Sequence, residues 1–172
     1  MGSNPSDFKG CGDDCPVEQV SWVDAQEFIQ RLNRKEGEKG YRLPTETQWE
    51  YACRAGSKGR YCFGDEQTQL GEYAWYWNNS DNKTHPVGQK KPNAWGLFDM
   101  HGNVYEWCQD RHRDYPTSHV TDPIGPESSE PFRMLRSCSF HCGAKDLRSA
   151  NRGDYRENER LFSIGFRLAR DP

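Results

Sequence analysis

Three observations predict an α+β fold. Two stretches carry one apolar stripe each at helical spacing, so each helix must lie against another layer, and a sheet is the simplest one. Three further runs have strand character, at Met134 and Leu135, from Val104 to Cys108, and from Ile164 to Leu168. Long segments rich in Gly, Pro, Asn and Asp, with aromatic residues spaced through them, have no sustained period and read as loops.

In chain order, residues 4–16 are Pro, Gly and Asp rich and form a loop. Ser21 with Asp24 three residues on makes a capping-box start, and Ala25, Phe28, Ile29 and Leu32 then share one helix face. That helix ends within residues 33–40, where charge and two glycines accumulate. A second helix starts at Thr45, after Pro44, with Gln48 closing its box; it buries Trp49, Ala52 and Cys53 and stops at Gly56. Residues 57–93 are irregular, and Trp75, Tyr76 and Trp77 are the anchors that would pack them. After Gly102, Val104, Glu106 and Cys108 alternate with Tyr105 and Trp107 as in a strand. Residues 110–131 read as another long polar loop. In the last forty residues, Met134–Leu135 and the alternating Ile164, Phe166 and Leu168 bracket a segment in which neither a helix face nor a strand face can be assembled. Loops held on such a frame are where binding usually resides.

A chain of 172 residues forms one domain by length and can bury ~70% of its unfolded surface. Only 33% of its residues are hydrophobic, but six Trp, eight Tyr and eight Phe supply enough apolar area for a folded, loop-rich protein. A net charge of −3 with both signs interspersed gives no basic stripe, which argues against a nucleic-acid partner. No apolar run approaches the ~20 residues that cross a bilayer, and no signal pattern opens the chain, so membrane insertion by this chain is not expected. The seven cysteines are Cys11, Cys15, Cys53, Cys62, Cys108, Cys138 and Cys142. An odd number leaves at least one thiol free unless it pairs between chains. The three-residue gaps of Cys11/Cys15 and Cys138/Cys142 do not fit zinc spacing. Cys11/Cys15 reads equally as a local disulfide or as a thiol pair.

Four collinear blocks together resemble the formylglycine-generating-enzyme (sulfatase-modifying factor) family: Pro16-Val-Glu-Gln-Val-Ser-Trp-Val-Asp-Ala25, Tyr41-Arg-Leu-Pro-Thr-Glu-Thr-Gln-Trp-Glu-Tyr-Ala52, Gly96-Leu-Phe-Asp-Met-His-Gly-Asn-Val-Tyr-Glu-Trp107 and Ile164-Gly-Phe-Arg167. The resemblance implies a C-type-lectin-like fold: a small twisted antiparallel sheet, two helices and much irregular backbone. It also implies a further segment ahead of residues 4–6 that adds a strand near the C-terminal one. Enzymes of the family use two nearby cysteines to bind copper and activate oxygen, since a pair of soft thiolates suits Cu(I). Here Cys142 falls on the first of those positions and Leu147 on the second. Cys138 is the alternative partner, in a different geometry.

The segment of about 136–163 instead resembles the variable region of diversity-generating retroelement proteins, which carry mutated codons on the same fold. Its frame is Arg136, Ser139, Ala144, Leu147 to Ala150, Arg152, Arg160 and Ile164 to Arg167. Its slots are Ser137, Cys138, Phe140, His141, Cys142, Gly143, Asp146, Gly153, Asp154, Tyr155, Arg156, Leu161, Phe162 and Ser163. No slot holds Lys, Glu, Gln, Met or Trp, the residues that adenine substitution of asparagine-like codons cannot reach. This reading implies a non-enzymatic, hypervariable domain that binds a macromolecular ligand, most simply a protein, and is displayed on a virion or cell surface, with no catalytic cofactor. Phe140, His141, Asp146, Tyr155, Leu161 and Phe162 would supply the hot spots. The alternative is a copper-dependent oxidase acting on a cysteine in a peptide; carbohydrate binding rests on fold analogy alone.

Asp99, Gly102, Val104 and Glu106 match a structural Ca²⁺ site of the family, and oxygen donors at a turn suit that ion. Read without the family, Asp99 caps a turn and Glu106 pairs with an arginine. Trp22, Trp49, Trp95 and Trp107 are expected in the core. Arg136, Arg148, Arg152, Arg160 and Arg167 are expected to hold loop carbonyls and carboxylates. His85, His101, His112 and His119 have no metal spacing and no assigned role.

Overall fold

Both predicted capping boxes form in the computed structural model, which describes residues 4–10, 12–114 and 131–170. Ser21 caps α1 (Trp22–Glu36) and exchanges hydrogen bonds with Asp24, while Thr45 and Gln48 do the same for α2 (Glu46–Arg54). Gly37 ends α1 in the left-handed conformation. In α2 that role falls to Ala55, at φ 45°, one residue before the predicted Gly56. A third helix, α3 (Leu70–Tyr73), interrupts the predicted long loop.

The strands are β1 (Tyr41–Arg42), β2 (Tyr105–Arg111), β3 (Phe132–Arg136), β4 (Gly153–Arg156), β5 (Ile164–Gly165) and β6 (Ala169–Arg170). They form a four-stranded sheet in the order β4-β3-β2-β5 and a two-stranded sheet of β1 with β6. The pairs β1–β6, β2–β3 and β3–β4 are antiparallel, as expected, whereas β2–β5 is parallel. The predicted C-terminal strand is therefore two short strands serving different sheets. β4 lies inside the segment expected to be irregular; its pairing with β3 comes from tertiary context that its Gly-Asp-Tyr-Arg sequence does not announce.

β2 is central and buried on both faces. Trp107 packs with Ala25, Ile29, Leu135 and Ile164 on the α1 side, and Cys108 with Trp49, Cys53 and Met134 on the α2 side, as successive strand residues must. The Trp107 indole N–H also donates to the Val20 carbonyl at 2.9 Å, fixing the approach to α1. Gly165 is needed where β5 passes the chain ahead of α1, since a Cβ there would overlap the Val17 carbonyl oxygen. Gly102 meets the Trp75 carbonyl in the same way.

Two tryptophans depart from expectation. Trp49 and Trp107 are fully buried and Trp22 is half-buried, but Trp95 is 49% exposed, edge-on to Tyr51. Of the predicted loop anchors Tyr76 is buried, while Trp77 is 64% exposed. The Asn79 side chain accepts from the Tyr76 amide and donates to the Ala74 carbonyl, so polar contacts hold this turn where apolar packing was expected.

Candidate ligand-binding surface

Residues 136–163 are held through their backbone. Carbonyls throughout this segment accept hydrogen bonds from the frame: Phe140 from Ser80 Oγ, Cys142 from the Trp77 amide, Ala144 from the Tyr61 hydroxyl, Leu147 from His101 Nδ1, Ser149 and Asn151 from Arg136, Glu157 from the Val23 amide, Leu161 from the Gln19 amide and Ser163 from the Tyr105 amide. The Phe140 amide donates to the Asn103 carbonyl and the Ser149 amide to the Arg60 carbonyl. A backbone carbonyl is present whatever the side chain, so these anchors survive substitution at the slots.

His101, given no role by sequence, is one of the main anchors. Its Nε2 accepts from the Cys62 amide at 3.0 Å, so Nδ1 carries the proton given to Leu147. Burial pushes its pKa down to about 4, which keeps the ring neutral in that tautomer. Burial likewise raises Cys53 to about 12 and Cys62 to about 11, so both stay thiols. Cys53, Cys62 and Cys108 are the free cysteines among the described residues, and Cys11 lies outside them.

The slots gather around Tyr105, a frame residue on β2. Cys138 and Cys142 form a disulfide, and the Tyr105 hydroxyl lies 2.9 Å from one sulfur and 3.3 Å from the other, placed to donate to them. Gly153 passes 3.8 Å from the edge of its ring. Asp146 acts on it electrostatically and, after burial, is a second cause raising its hydroxyl pKa. Tyr105 was present in the Gly96–Trp107 block, but its alternation partner Trp107 carried the core signal.

A second group stands beside it. Phe140 is fully buried and touches Phe8, His141 and Phe162 at centroid distances of 5.3–6.0 Å. Phe162, 42% exposed, covers it, with Phe8 at 6.2 Å and His141 at 6.1 Å. Phe8 comes from the N-terminal loop, where no periodic pattern marked it. Its amide donates to the buried Glu18 carboxylate at 2.9 Å.

The expectation that the bulky slots are exposed together is corrected at several positions. Phe140, Cys138, Cys142, Ser137 and Ser163 are buried, and Leu161 is half-buried against the α1 core. Phe140 is covered by Phe8, His141 and Phe162, and the Cys138–Cys142 disulfide packs with Tyr61, Leu70 and Leu147. His141, Gly143, Tyr155, Arg156 and Phe162 are exposed, and Asp146, Gly153 and Asp154 half-exposed. Tyr155 and Arg156 lie on β4, Tyr155 opposite Arg133, and the Asp154 carboxylate is 3.3 Å from His112 Nδ1.

The arginines behave as expected. Arg152 pairs with Glu46 at 2.5 Å, Arg160 with Asp24 at 2.7 Å, and Arg136 with Glu50 and, at 3.6 Å, Glu46; Arg148 holds the Lys145 carbonyl at 3.0 Å. Arg167 takes both oxygens of Glu106, at 2.5 and 2.7 Å, and Trp49 donates to the same carboxylate. Asp99, Gly102, Val104 and Glu106 line one cavity of about 390 Å³ with Phe98, Phe166 and Arg167. There Asp99 accepts from the Gly88 amide with Oδ2, and its Oδ1 is buried with no hydrogen-bond partner. Burial raises its carboxyl pKa above the ordinary value. Glu106 is therefore paired with an arginine, as the reading without the family expects, and Asp99 Oδ1 faces no hydrogen-bond donor.

The two helices on a curled mixed sheet, with long loops held through their carbonyls, define a C-type-lectin-like domain of the formylglycine-generating-enzyme type. The chain belongs to the sulfatase-modifying factor family: the Sulfatase-modifying factor enzyme 1-like domain matches residues 1–172. It is similar in structure to Treponema denticola variable protein 1, with a TM-score of 0.93 and 33% identity over 100% of this chain and 79% of that one. PvdO from Pseudomonas aeruginosa superposes with a TM-score of 0.86 and 34% identity, over 94% of this chain and 64% of that one. Among curated proteins it is 36% identical over 173 residues to the formylglycine-generating enzyme of Streptomyces coelicolor, covering 91% of this chain and 52% of the relative. The chain spans about half the length of the curated relatives it matches. Among the described residues no helix is long and apolar enough to cross a membrane.

Proposed function

We propose that this domain is a non-enzymatic ligand-binding protein whose recognition surface is the variable segment around Tyr105, diversified by a retroelement and displayed for macromolecular recognition. The observation that carries this reading is the anchoring of the segment by its carbonyls, which separates the fold from the identity of the slot side chains. Rigid loops lose little entropy on binding, so such a surface can be specific without being large. The likeness to a variable protein supports it.

The curated relatives favour a second reading, a copper-dependent oxidase of the formylglycine-generating type. Against it, Leu147 occupies the second cysteine position and is buried in the apolar cluster with Tyr61 and Leu70, and Cys142 is bonded to Cys138. A thiolate pair could come only from Cys138 and Cys142, after reduction of that disulfide. Oxygen consumption by the reduced, Cu(I)-loaded protein with a cysteine-containing peptide, beside Cys142→Ser, separates the readings. No peptide-cysteine oxidation that depends on Cys142 is expected; such turnover would sink the proposal. Replacing His141 and Tyr155 together by Ala is expected to move Tm by less than about 4 °C, since surface substitutions rarely cost more than ~0.5 kcal/mol each.

A structural Ca²⁺ fits the cavity at Asp99, where the unpartnered Oδ1 is the donor a hard cation needs and Gly102 and Val104 can offer carbonyls. Glu106 would contribute through the charge it shares with Arg167. Added Ca²⁺ is expected to raise Tm, by the equivalent of about 2.7 kcal/mol at a hundredfold excess over Kd. Asp99→Asn should remove that response; an unchanged Tm with and without chelator would dismiss the ion.

A further inference from the structure

Residues 4–10 of the N-terminal loop reach the proposed surface on few attachments. Among the described residues, their only backbone–backbone hydrogen bond runs from the Gly12 amide to the Lys9 carbonyl, at 3.3 Å. Residues 18 and 19 tie the loop to the body. The Glu18 amide donates to Ser6 Oγ at 3.2 Å, the Gln19 side chain donates to the Asp7 carboxylate, and the Phe8 amide donates to Glu18 Oε1 at 2.9 Å. The last of these places a side chain on the surface, because the Phe8 ring stands edge-on to Phe140 at 5.3 Å and to Phe162 at 6.2 Å.

A carboxylate is a costly residue for this task. Glu18 is completely buried, one of its oxygens is used by Phe8, and Oε2 is enclosed with no hydrogen-bond partner. The charge that acts on it is a like one, the Asp7 carboxylate. Burial raises its pKa above the ordinary glutamate range, against the pull of the Phe8 and Asp7 amides, which favour the charged form. Once Glu18 is ionised, the charge on Oε2 meets neither water nor a protein donor, and outward movement of the loop hydrates it. A cavity of about 440 Å³ between residues 7–10 and 83–86 has Phe8 in its wall, so the ring has room to move. The other titratable groups around Phe8 are Lys9, Lys83 and His85, which line that cavity, and His141, which stands against Phe140 and Phe162.

Building on the ligand-binding reading, we infer that Glu18 is a pH-sensitive latch on that surface: protonated, it holds Phe8 against Phe140 and Phe162, and ionised, it lets the loop release them. Linkage gives the direction. A carboxyl that binds its proton more tightly in the closed loop than in the open one favours closure in acid, and that advantage is lost as pH rises through the raised pKa of the closed form. Acid therefore keeps the aromatic group complete and covered. Towards neutral pH, Phe140 and Phe162 become more accessible to an apolar group of a ligand. Glu18 and Phe8 lie outside the variable slots, so every version of the surface inherits the latch.

The test is a titration of the full chain from acid to neutral pH, followed by NMR and by amide hydrogen exchange corrected for its intrinsic rate. The Glu18 carboxyl carbon, assigned by its loss in Glu18→Gln, gives the midpoint of the latch. Protection of the Phe8 amide is expected to fall severalfold as pH rises through that midpoint, with the ring resonances of Phe140 and Phe162 shifting in step. Glu18→Gln should abolish both dependences, and Phe8→Ala should abolish the ring shifts. Constant Phe8 protection in the wild type, or protection that follows the ring midpoints of His85 or His141 instead of the Glu18 carbon, would overturn the latch. So would rings at 140 and 162 that stay still while Phe8 titrates. The wild-type midpoints decide the matter even if Glu18→Gln fails to fold. No ligand enters the measurement, so loss of the latch leaves the ligand-binding reading standing; that reading fails separately, on peptide-cysteine oxidation that depends on Cys142.

Discussion

Replacing Arg136 by Met is expected to lower stability by about 2–5 kcal/mol, chiefly the cost of leaving two buried carbonyls without their donor. The Arg136 side chain has no exposed surface and reaches Glu50, Glu46 and the carbonyls of Ser149 and Asn151 at once. Without it Glu46 keeps Arg152 and Glu50 keeps Arg54, so most of the cost falls on the two carbonyls and on the space the guanidinium filled. Loss of those carbonyl contacts would also release the middle of the variable segment from α2. Urea unfolding of Arg136→Met and Arg136→Lys measures both parts, with Lys expected between wild type and Met because it cannot span all four acceptors. A change below ~1 kcal/mol in the Met variant would show that the arginine is dispensable to the frame.

Trp107→Ala should cost a similar ~3–5 kcal/mol through a different cause, a cavity at the centre of the sheet. Trp107 is completely buried between α1 and β3 and donates to Val20. Trp107→Phe keeps most of the volume and deletes the donor, so about 1 kcal/mol beyond its packing loss reports the hydrogen bond. Thermal unfolding of the pair separates the two contributions; equal losses in both variants would assign the effect to the Val20 contact alone.

Legibility of the fold in the sequence followed how local each signal was. Ser21 with Asp24 and Thr45 with Gln48 are four-residue patterns whose hydrogen bonds close within the pattern, and both formed as read. β4 was invisible because Gly153, Asp154, Tyr155 and Arg156 become a strand only by pairing with β3, twenty residues upstream. The frame arginines were legible as a class, since a loop-rich chain needs donors for its carbonyls, although their partners were not. At the surface, the list of slots described which positions vary better than which are exposed. Phe140 and Leu161 looked like exposed hot spots because sequence cannot count the rings already packed around them. Tyr105 and Trp77 were missed for the opposite reason: both belong to blocks whose aromatics were assigned to the interior.

Ser137 opens the variable segment with its backbone at φ 65°, a conformation that asparagine and glycine tolerate and β-branched residues resist. On the proposed reading, an asparagine-like starting codon is relaxed at that position before any mutation occurs. Codons altered there to valine, isoleucine or threonine would carry roughly 1–2 kcal/mol of left-handed strain, whichever ligand they might suit. Selection for folding would therefore act on the repertoire ahead of selection for binding, thinning β-branched residues at position 137 while leaving position 162, which has no such constraint, free to sample them.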